Sequence, residues 1–483
     1  MKKLTTLLLN DSKIYKLRLT GIWAEMFYHV IFVNDGATYA PFVLFENGNS
    51  IPLKTDTKEG YTFFDDLESK HCIIDTGEPL WFADGVVNTV GIGGLVSVVK
   101  QSKIDPNGIY ESVTKILADY YDFYNSYELQ IIFAHIIHTY ILGLLGKTFY
   151  LMLEGERNTG KSSLQSVMAH LQHNGCFSGK VTMASLIRKI HFFGASVNID
   201  ELDKLHKDEL KMATGILNSG MYASGTYEIV NLDSKKSKNQ LKIYKTFGSK
   251  TFSANKSFFD DSLLSRCIVI NTVRNRKQVK SIYEITEQEL NHFQYLRNQM
   301  FAYCLMNGKG IHADIKEMQA YLSAQGKYGR RSDIFSIVAG ILKHFGADYK
   351  PVLEYLDDRE SFDEEASFDN RFYLTLGFLV EKMESELKQK LVFSNEDLRS
   401  YLIDQLDMET QSQYSPTPRS VGSLLKKHRI IENKNERQRI TSGIDKGKYQ
   451  YFLDTVKILE LIDRTEFDDL KERIGKFDFN VLK

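Results

Sequence analysis

Cysteine is scarce in this sequence of 483 residues, and the positions of the few cysteines exclude two kinds of structure. The four are Cys72, Cys176, Cys267 and Cys304, which lie far apart, with no C-x-x-C pair and no histidine at metal-ligand spacing. Neither a disulfide framework nor a zinc site is expected. We therefore expect a reduced, cytoplasmic protein.

Long hydrophobic runs are also absent. The most apolar segment, residues 131–145, contains two histidines and falls short of the roughly 20 residues that a membrane-spanning helix needs. The leucines near the amino end are too few for the core of a signal peptide. We expect no membrane association, and we interpret residues 131–145 as a helix buried in a core.

An excess of charge of one sign is the third feature that the sequence lacks. There are 61 Lys and Arg residues against 62 Asp and Glu, a net charge of −1. No overall field attracts the chain to nucleic acid, so any such affinity must come from local patches. With 43% hydrophobic and 25% charged residues, the composition is that of a soluble globular protein, and the length predicts about three domains.

A glycine-bounded loop from Gly155 to Ser162 is the most informative stretch that is present, because it fits G-x-x-x-x-G-K-[ST]. A strand-like run precedes the loop and a helical pattern follows it, which is the context that this phosphate-binding motif requires. Lys161 is expected to reach the β- and γ-phosphates, and Ser162 to ligate Mg²⁺. The residues expected to bind nucleotide are Gly155, Glu156, Arg157, Asn158, Thr159, Gly160, Lys161, Ser162 and Ser163.

Two adjacent acids close the next strand-like run, "GASVNIDE". Asp200 at the end of a strand is expected to hold Mg²⁺ together with Ser162, and Glu201 to activate the attacking water. The pair therefore predicts hydrolysis rather than transfer to a substrate hydroxyl. Asn198 is a polar residue in an otherwise apolar run and fits this pattern less well.

Two further polar residues follow strand-like runs downstream. Asn255 ends "KTFSAN", where its amide would polarise the attacking water or contact the γ-phosphate. Arg266 stands just before the run "CIVIN", at the edge of the domain, where it would reach a neighbouring subunit's γ-phosphate. A structural arginine in an ion pair within the chain is the alternative for Arg266.

A cluster of lysines lies between the acid pair and Asn255. The segment from Ser234 to Lys256 contains seven lysines and no acid. Its β-like flanks and turn-like centre predict a hairpin with Lys235, Lys236 and Lys238 at the tip. Such a tip is suited to contact nucleic-acid phosphates, and a solvated charged loop is the alternative.

The last part of the chain predicts a winged helix, since two helical patterns precede the strand-like runs "RQRIT" and "YQYFL". This region is basic, and the second of its helical patterns, "RSVGSLLKKH", is the candidate recognition helix. Lys426, Lys427 and Arg429 are its expected DNA contacts. Docking of another protein is the alternative role for such a domain.

We predict an α/β protein with six segments. They are a β-rich amino-terminal domain (1–105), a helical lead-in (106–147), an ATPase core (148–275), a helical lid region (276–388), a winged-helix domain (389–465) and a tail (466–483).

The sequence resembles AAA+ ATPases of the superfamily 3 and MCM-like helicase type, which serve replication in viruses, phages and mobile genetic elements. The resemblance lies in GERNTGKS, NIDE, FSAN and LLSR, in that order, within about residues 125–275. It implies ATP and Mg²⁺ as cofactors, a homo-oligomeric ring with a hexamer expected, and a second arginine in the lid. Arg331, with Arg330 beside it, is the candidate for that arginine.

The sequence therefore predicts an ATP-dependent DNA helicase or replication initiator-helicase. Single-stranded DNA is expected in the channel of the ring, and duplex origin DNA on the winged helix. A regulatory or defence AAA+ ATPase without unwinding activity is the main alternative. An origin-binding protein with a vestigial ATPase is less consistent with a complete set of motifs.

Overall fold

A computed structural model describes most of the chain. The described residues are 14–17, 19–34, 39–56, 60–65, 70–74, 87–179, 182–202, 207–230, 241–254, 261–275, 277–356, 391–394, 400, 437–439 and 449–453. The chain divides into two compact units, Met1–Tyr355 and Leu356–Lys483.

The first unit begins with eight strands. They are β1 (Ile14–Leu17), β2 (Thr20–Trp23), β3 (Met26–Asn34), β4 (Tyr39–Phe45), β5 (Ser50–Pro52), β6 (Lys54–Asp56), β7 (Gly60–Asp65) and β8 (Lys70–Ile74). One sheet has the order β2-β3-β4-β5 and another the order β1-β8-β7-β6. Buried aromatic and β-branched side chains of β3 and β4 form a small core with Trp23 and Leu53.

Three helices lead from these sheets to the central domain: α1 (Ile92–Val99), α2 (Pro106–Tyr120) and α3 (Ser126–His138), followed by a 3₁₀ turn at Leu142–Leu144. α2 begins where Asp105 accepts hydrogen bonds from two backbone N–H groups of its first turn. The apolar run 131–145 is buried, as predicted. No helix in the described residues is both long enough and apolar enough to span a membrane.

The central domain is a five-stranded parallel sheet with the order β10-β11-β14-β9-β15. Its strands are β9 (Tyr150–Glu154), β10 (Gly175–Ser178), β11 (Ser196–Ile199), β14 (Lys250–Ala254) and β15 (Cys267–Asn271). The helices between them are α4 (Lys161–Leu171), α5 (Met183–Phe193), α6 (Lys207–Ser219) and α7 (Asp261–Leu264). The strands are almost entirely buried, as expected when both faces of a parallel sheet are covered.

A two-stranded hairpin interrupts the central domain between α6 and β14. Its strands, β12 (Thr226–Val230) and β13 (Leu241–Lys245), pair antiparallel from Thr226 opposite Lys245 to Val230 opposite Leu241. The predicted pairing of these two runs is confirmed. The connection, residues 231–240, lies outside the described residues.

Two long helices complete the first unit. α8 (Glu287–Ala324) begins with a capping box, in which Thr286 and Glu289 exchange hydrogen bonds, and α9 (Arg330–His344) packs against it. Lys309 on α8 contacts Glu46 of the amino-terminal sheet at 2.5 Å. The helix thereby joins the amino-terminal strands to the rest of the unit.

The second unit is described only through three strands, β16 (Leu391–Ser394), β17 (Arg437–Arg439) and β18 (Tyr449–Leu453). They form an antiparallel sheet with the order β16-β18-β17. The strand-like runs "RQRIT" and "YQYFL" contain β17 and β18, which pair antiparallel. The helical patterns expected between β16 and β17 lie outside the described residues, so the winged helix stays a prediction.

Lys250 is a fully buried lysine at the amino end of β14. Its Nζ donates to the carbonyl oxygens of Thr246 at 2.8 Å and Gly248 at 3.0 Å, and it lies 4.8 Å from the centroid of the Tyr150 ring. Burial lowers the pKa of Lys250 to about 7. One of the seven lysines in the basic segment therefore supports the base of the hairpin and is not available to DNA.

The buried lysine predicts a pH dependence of stability. Between pH 7 and 10.5 the unfolded chain holds a proton that native Lys250 has released, so the free energy of unfolding should rise with pH through this window. Lys250→Met removes that rise. Urea unfolding at several pH values should show that, as the pH increases from 7 to 10, the free energy of unfolding rises more for wild type than for Lys250→Met. Lys316→Met, at an exposed position of α8, is the control; equal slopes for wild type and Lys250→Met would contradict the assignment.

Candidate nucleotide-binding site

The loop between β9 and α4 is curled by residues with left-handed backbone. Gly160 has φ of +83° and Asn158 has φ of +64°. Gly155 lies against the strand-end residue Thr272, so that a Cβ there would come within 2.3 Å of the Thr272 carbonyl oxygen. Glycine is favoured at position 160 by its conformation and is required at position 155 by the close approach. The loop can thus turn its N–H groups toward a single anion at the amino end of α4.

The ammonium of Lys161 lies over this loop. Its Nζ donates to the carbonyl oxygens of Gly155 and Glu156, both at 2.6 Å, and the side chain is only 8% exposed. Lys161 is the first residue of α4, so the helix fixes where its stem begins. A cation held at this point is placed to meet the terminal phosphates of a nucleotide on the loop.

The carboxylate of Asp200 joins the loop helix to the neighbouring strand. One oxygen accepts a hydrogen bond from Ser162 Oγ at 2.5 Å, and the other accepts one from Ser253 Oγ, also at 2.5 Å. Hydrogen bonds to a charged acceptor contribute roughly 1.5–3 kcal/mol each. The arrangement follows from strand order, because β14 lies between β9 and β11 and brings Ser253 beside both.

Glu201 adopts a strained backbone immediately after Asp200, with φ of +51°. Its N–H donates to Ser253 Oγ at 3.0 Å and to Asp200 Oδ1 at 3.1 Å, which holds the residue in this conformation. A non-glycine residue in the left-handed region costs about 1–3 kcal/mol. The turn leaves the side chain of Glu201 exposed at the edge of the sheet.

Asn198, the polar residue that interrupts the β11 run, has a structural explanation. It is fully buried, and its Nδ2 donates to Gln172 Oε1 at 2.7 Å and to the Cys176 carbonyl oxygen at 3.2 Å. Gln165 on α4 donates to the Ile199 carbonyl oxygen at 3.0 Å. These contacts fix β11 against its neighbours and so fix the position of the acid pair.

A cavity of about 330 Å³ brings these groups together. It is lined by the loop and helix residues 157–163, the acid pair Asp200 and Glu201, the β14 residues Ser253 and Ala254, and Tyr283. The predicted loop residues and both acids therefore share one cavity. Gly155 and Glu156 do not line it, but their carbonyl oxygens hold Lys161.

Arg266 lies at the amino ends of the strands, whereas the loop and the acid pair lie at their carboxyl ends. It precedes β15, whose first residue, Cys267, pairs with Tyr150 at the amino end of β9, whereas the loop follows the carboxyl end of β9. A five-residue strand is about 16 Å long, longer than an arginine side chain. Arg266 therefore does not reach the cavity of its own protomer, and its side chain is 9% exposed.

The lid arginines lie at the same edge as Arg266. Nη1 of Arg330 donates to Ser265 Oγ, and Arg331 is the next residue of α9. Nearby, Lys147, which precedes β9, pairs with Asp333 of α9 at 2.5 Å. Arg331 is thus remote from the cavity formed by its own loop.

Other predicted site residues lie outside the described residues. They are Asn255, which follows the cavity-lining Ala254, and the six basic residues Lys235, Lys236, Lys238, Lys426, Lys427 and Arg429. Their roles stay predictions.

Three residues at the cavity, Ser253, Ala254 and Tyr283, were missed from the sequence. Ser253 stands in "FSAN", where a small polar residue in an apolar strand was a usable signal, but its partner depends on which strands are adjacent. Tyr283 lies in a 3₁₀ turn, Ile282–Glu284, more than a hundred residues after the loop, and no sequence pattern links the two.

Comparison with known proteins gives distant similarities. No protein-family model and no curated protein matches the chain. Among solved structures, it is similar to the active helicase Cch of SCCmec type IV, at 11% identity over 95% of this chain and 83% of that one, with a TM-score of 0.38. It is also similar to the C-terminal region of NrS-1, at 12% identity over 88% of this chain and 96% of that one, with a TM-score of 0.31.

A third similarity is to a full-length MCM homologue from Methanopyrus kandleri, at 9% identity over 68% of this chain and 72% of that one, with a TM-score of 0.34. Helicases are thus among the structures that the chain is similar to, and helicases are also what its motifs resemble. Because every TM-score is below 0.5, the proposals below rest on the residues and geometry of this chain.

The hydrogen bond from Ser253 to Asp200 predicts a specific defect. Ser253→Ala leaves Asp200 with one hydroxyl partner instead of two, so binding of Mg²⁺-ATP should weaken by about tenfold, whereas binding of ATP in the presence of a chelator should change little. Calorimetric titration measures both affinities. Ser249→Ala removes a buried hydroxyl just before the same strand and should change neither; an equal loss in both variants would contradict the role of Ser253.

Proposed function

We propose that the protein is an ATP-driven DNA helicase, or a replication initiator-helicase, that works as an oligomeric ring. The observation that carries this proposal is the Asp200 carboxylate held between the hydroxyls of Ser162 and Ser253, beside a phosphate-type loop. This joins a phosphate-binding element to two adjacent acids. Nucleotide hydrolysis is the chemistry that such a site supports best.

The donor set at this point fits Mg²⁺. A serine hydroxyl and a carboxylate oxygen converge at 2.5 Å, and hard oxygen atoms are the ligands that this ion prefers. Ser162 and Asp200 would hold the ion, which would neutralise charge on the phosphates. Lys161 would bind the β- and γ-phosphates, and Glu201 would accept the proton of the attacking water.

Two further residues complete the proposed chemistry. Asn255, one residue after the cavity-lining Ala254, would orient the attacking water or contact the γ-phosphate. Arg266 would supply positive charge to the cavity of a neighbouring protomer, turning outward when protomers assemble. Its location at the edge of the sheet remote from its own loop supports action in trans, and Arg331 at the same edge would act from the same side.

The hairpin β12–β13 is the element proposed to move DNA. β13 leads within a few residues into β14, whose far end carries Ser253 at the nucleotide site. Lys250 stabilises the segment between β13 and β14 by donating to the carbonyl oxygens of Thr246 and Gly248. One short strand thus links the hairpin to the hydroxyl that contacts Asp200. A change at the γ-phosphate would reach the hairpin through β14.

DNA contact is assigned to the lysines between the hairpin strands. Lys235, Lys236 and Lys238 would bind phosphates of a single strand, a task that requires positive charge and no base recognition. Lys426, Lys427 and Arg429 would bind duplex DNA on the predicted winged helix.

Unwinding of a forked DNA duplex with ATP tests the function directly. The triple change Lys235→Ala, Lys236→Ala and Lys238→Ala should abolish strand displacement while ATP hydrolysis without DNA stays within about twofold. A plot of log affinity for single-stranded DNA against log salt concentration has a negative slope. Losing three phosphate contacts should make that slope less steep by about 2.

The matched control removes the same charge elsewhere. Lys100, Lys103 and Lys316 are exposed and distant in sequence from the hairpin, so their combined change to alanine should preserve unwinding. Wild type that hydrolyses ATP but never separates strands, at either polarity of fork, would reject the helicase and favour a regulatory or defence ATPase. Wild type without any ATP hydrolysis would reject both.

Mixing experiments test whether Arg266 acts in trans. Arg266→Ala and Lys161→Ala should each reduce ATP hydrolysis by about a thousandfold, but mixed rings contain some sites with both groups intact and should regain activity. Mixtures of Lys161→Ala with Glu201→Gln contain no complete site and should stay inactive. Absence of rescue in rings of verified mixed composition would contradict the assignment of Arg266.

A further inference from the structure

Tyr283 is an exposed aromatic residue at the nucleotide cavity. It lines the same cavity as the loop residues and the acid pair, yet 92% of its surface is exposed, more than for any other large hydrophobic or aromatic side chain in the described residues. The ring therefore offers open faces at the rim of the phosphate site.

The backbone that carries this ring is fixed on both sides. The Tyr283 N–H donates to Ser281 Oγ at 3.2 Å within the 3₁₀ turn, and the turn packs against α4. Upstream, the Lys280 N–H donates to the Asp119 carbonyl oxygen at 2.8 Å, and its side chain pairs with Glu289 at 2.9 Å. Downstream, the capping box of α8 begins at Thr286. The position of the ring is therefore set before any ligand arrives.

We propose that Tyr283 stacks on the base of the bound nucleotide, an inference that rests on the proposed nucleotide site. A nucleoside triphosphate with its phosphates on the loop would extend its base toward the rim of the cavity, where the Tyr283 ring lies. Stacking on an aromatic side chain accepts any base, since every base has a π face. Tyr283 thus supplies affinity for the nucleoside part without distinguishing adenine from guanine.

Three ligands separate base binding from phosphate binding. ATP and GTP carry base and phosphates, whereas inorganic tripolyphosphate carries phosphates alone. Tyr283→Ala should weaken ATP and GTP by about five- to a hundredfold, the effect of losing one base stack, and leave tripolyphosphate unchanged. Tyr283→Phe keeps the ring and should remain within about twofold of wild type for all three.

The experiment is calorimetric titration of the full chain with each ligand in the presence of a chelator, because the proposed hydrolysis requires Mg²⁺. Tyr321→Ala is the control, because this tyrosine is exposed on α8 and does not line the cavity. Unchanged ATP affinity in Tyr283→Ala, or an equal loss for tripolyphosphate, would overturn the assignment. Because binding is measured without turnover, tight ATP binding that depends on Tyr283 but leads to no hydrolysis would reject the proposed function and leave this inference standing.

Discussion

The position of one carboxylate organises the rest of the candidate nucleotide site. Asp200 accepts from Ser162 on the loop helix and from Ser253 on β14, so one charge links three elements that are far apart in sequence. It can do this because β14 lies between the strand that precedes the loop and the strand that carries the acids. Parallel strands end at the same edge, so the loop helix, β14 and the acid pair converge there.

Buried polar groups hold that strand order in place. Asn198 links β11 to its neighbours, Lys250 ties the hairpin exit to β14, and His135 on α3 contacts Thr251 at 3.1 Å. Each would be costly to bury without partners, so each favours this arrangement of strands over shifted registers. The end of β14 that follows the hairpin and the end that carries Ser253 thus belong to a single strand whose register is specified by hydrogen bonds.

Local patterns were sufficient to predict the elements that depend on neighbours in sequence. The loop from Gly155, the acid pair and the pairing of the hairpin strands all follow from spacing and turn chemistry. Ser253 and Tyr283 were missed because their roles depend on which distant segments lie side by side. Lys250 was counted among the seven lysines of the basic segment, since composition cannot tell that a lysine beside a hairpin is buried.

The candidate site groups lie at the carboxyl ends of the strands of the central sheet, whereas the arginines lie toward the amino ends. This separation constrains how a complete site can form. The carboxyl edge holds the loop, Lys161 and both acids, whereas Arg266 and Arg330 lie toward the amino edge. The sheet separates them by about the length of a five-residue strand. If these arginines take part in hydrolysis, they must therefore serve a second protomer, and the unit that turns over ATP is an interface between chains.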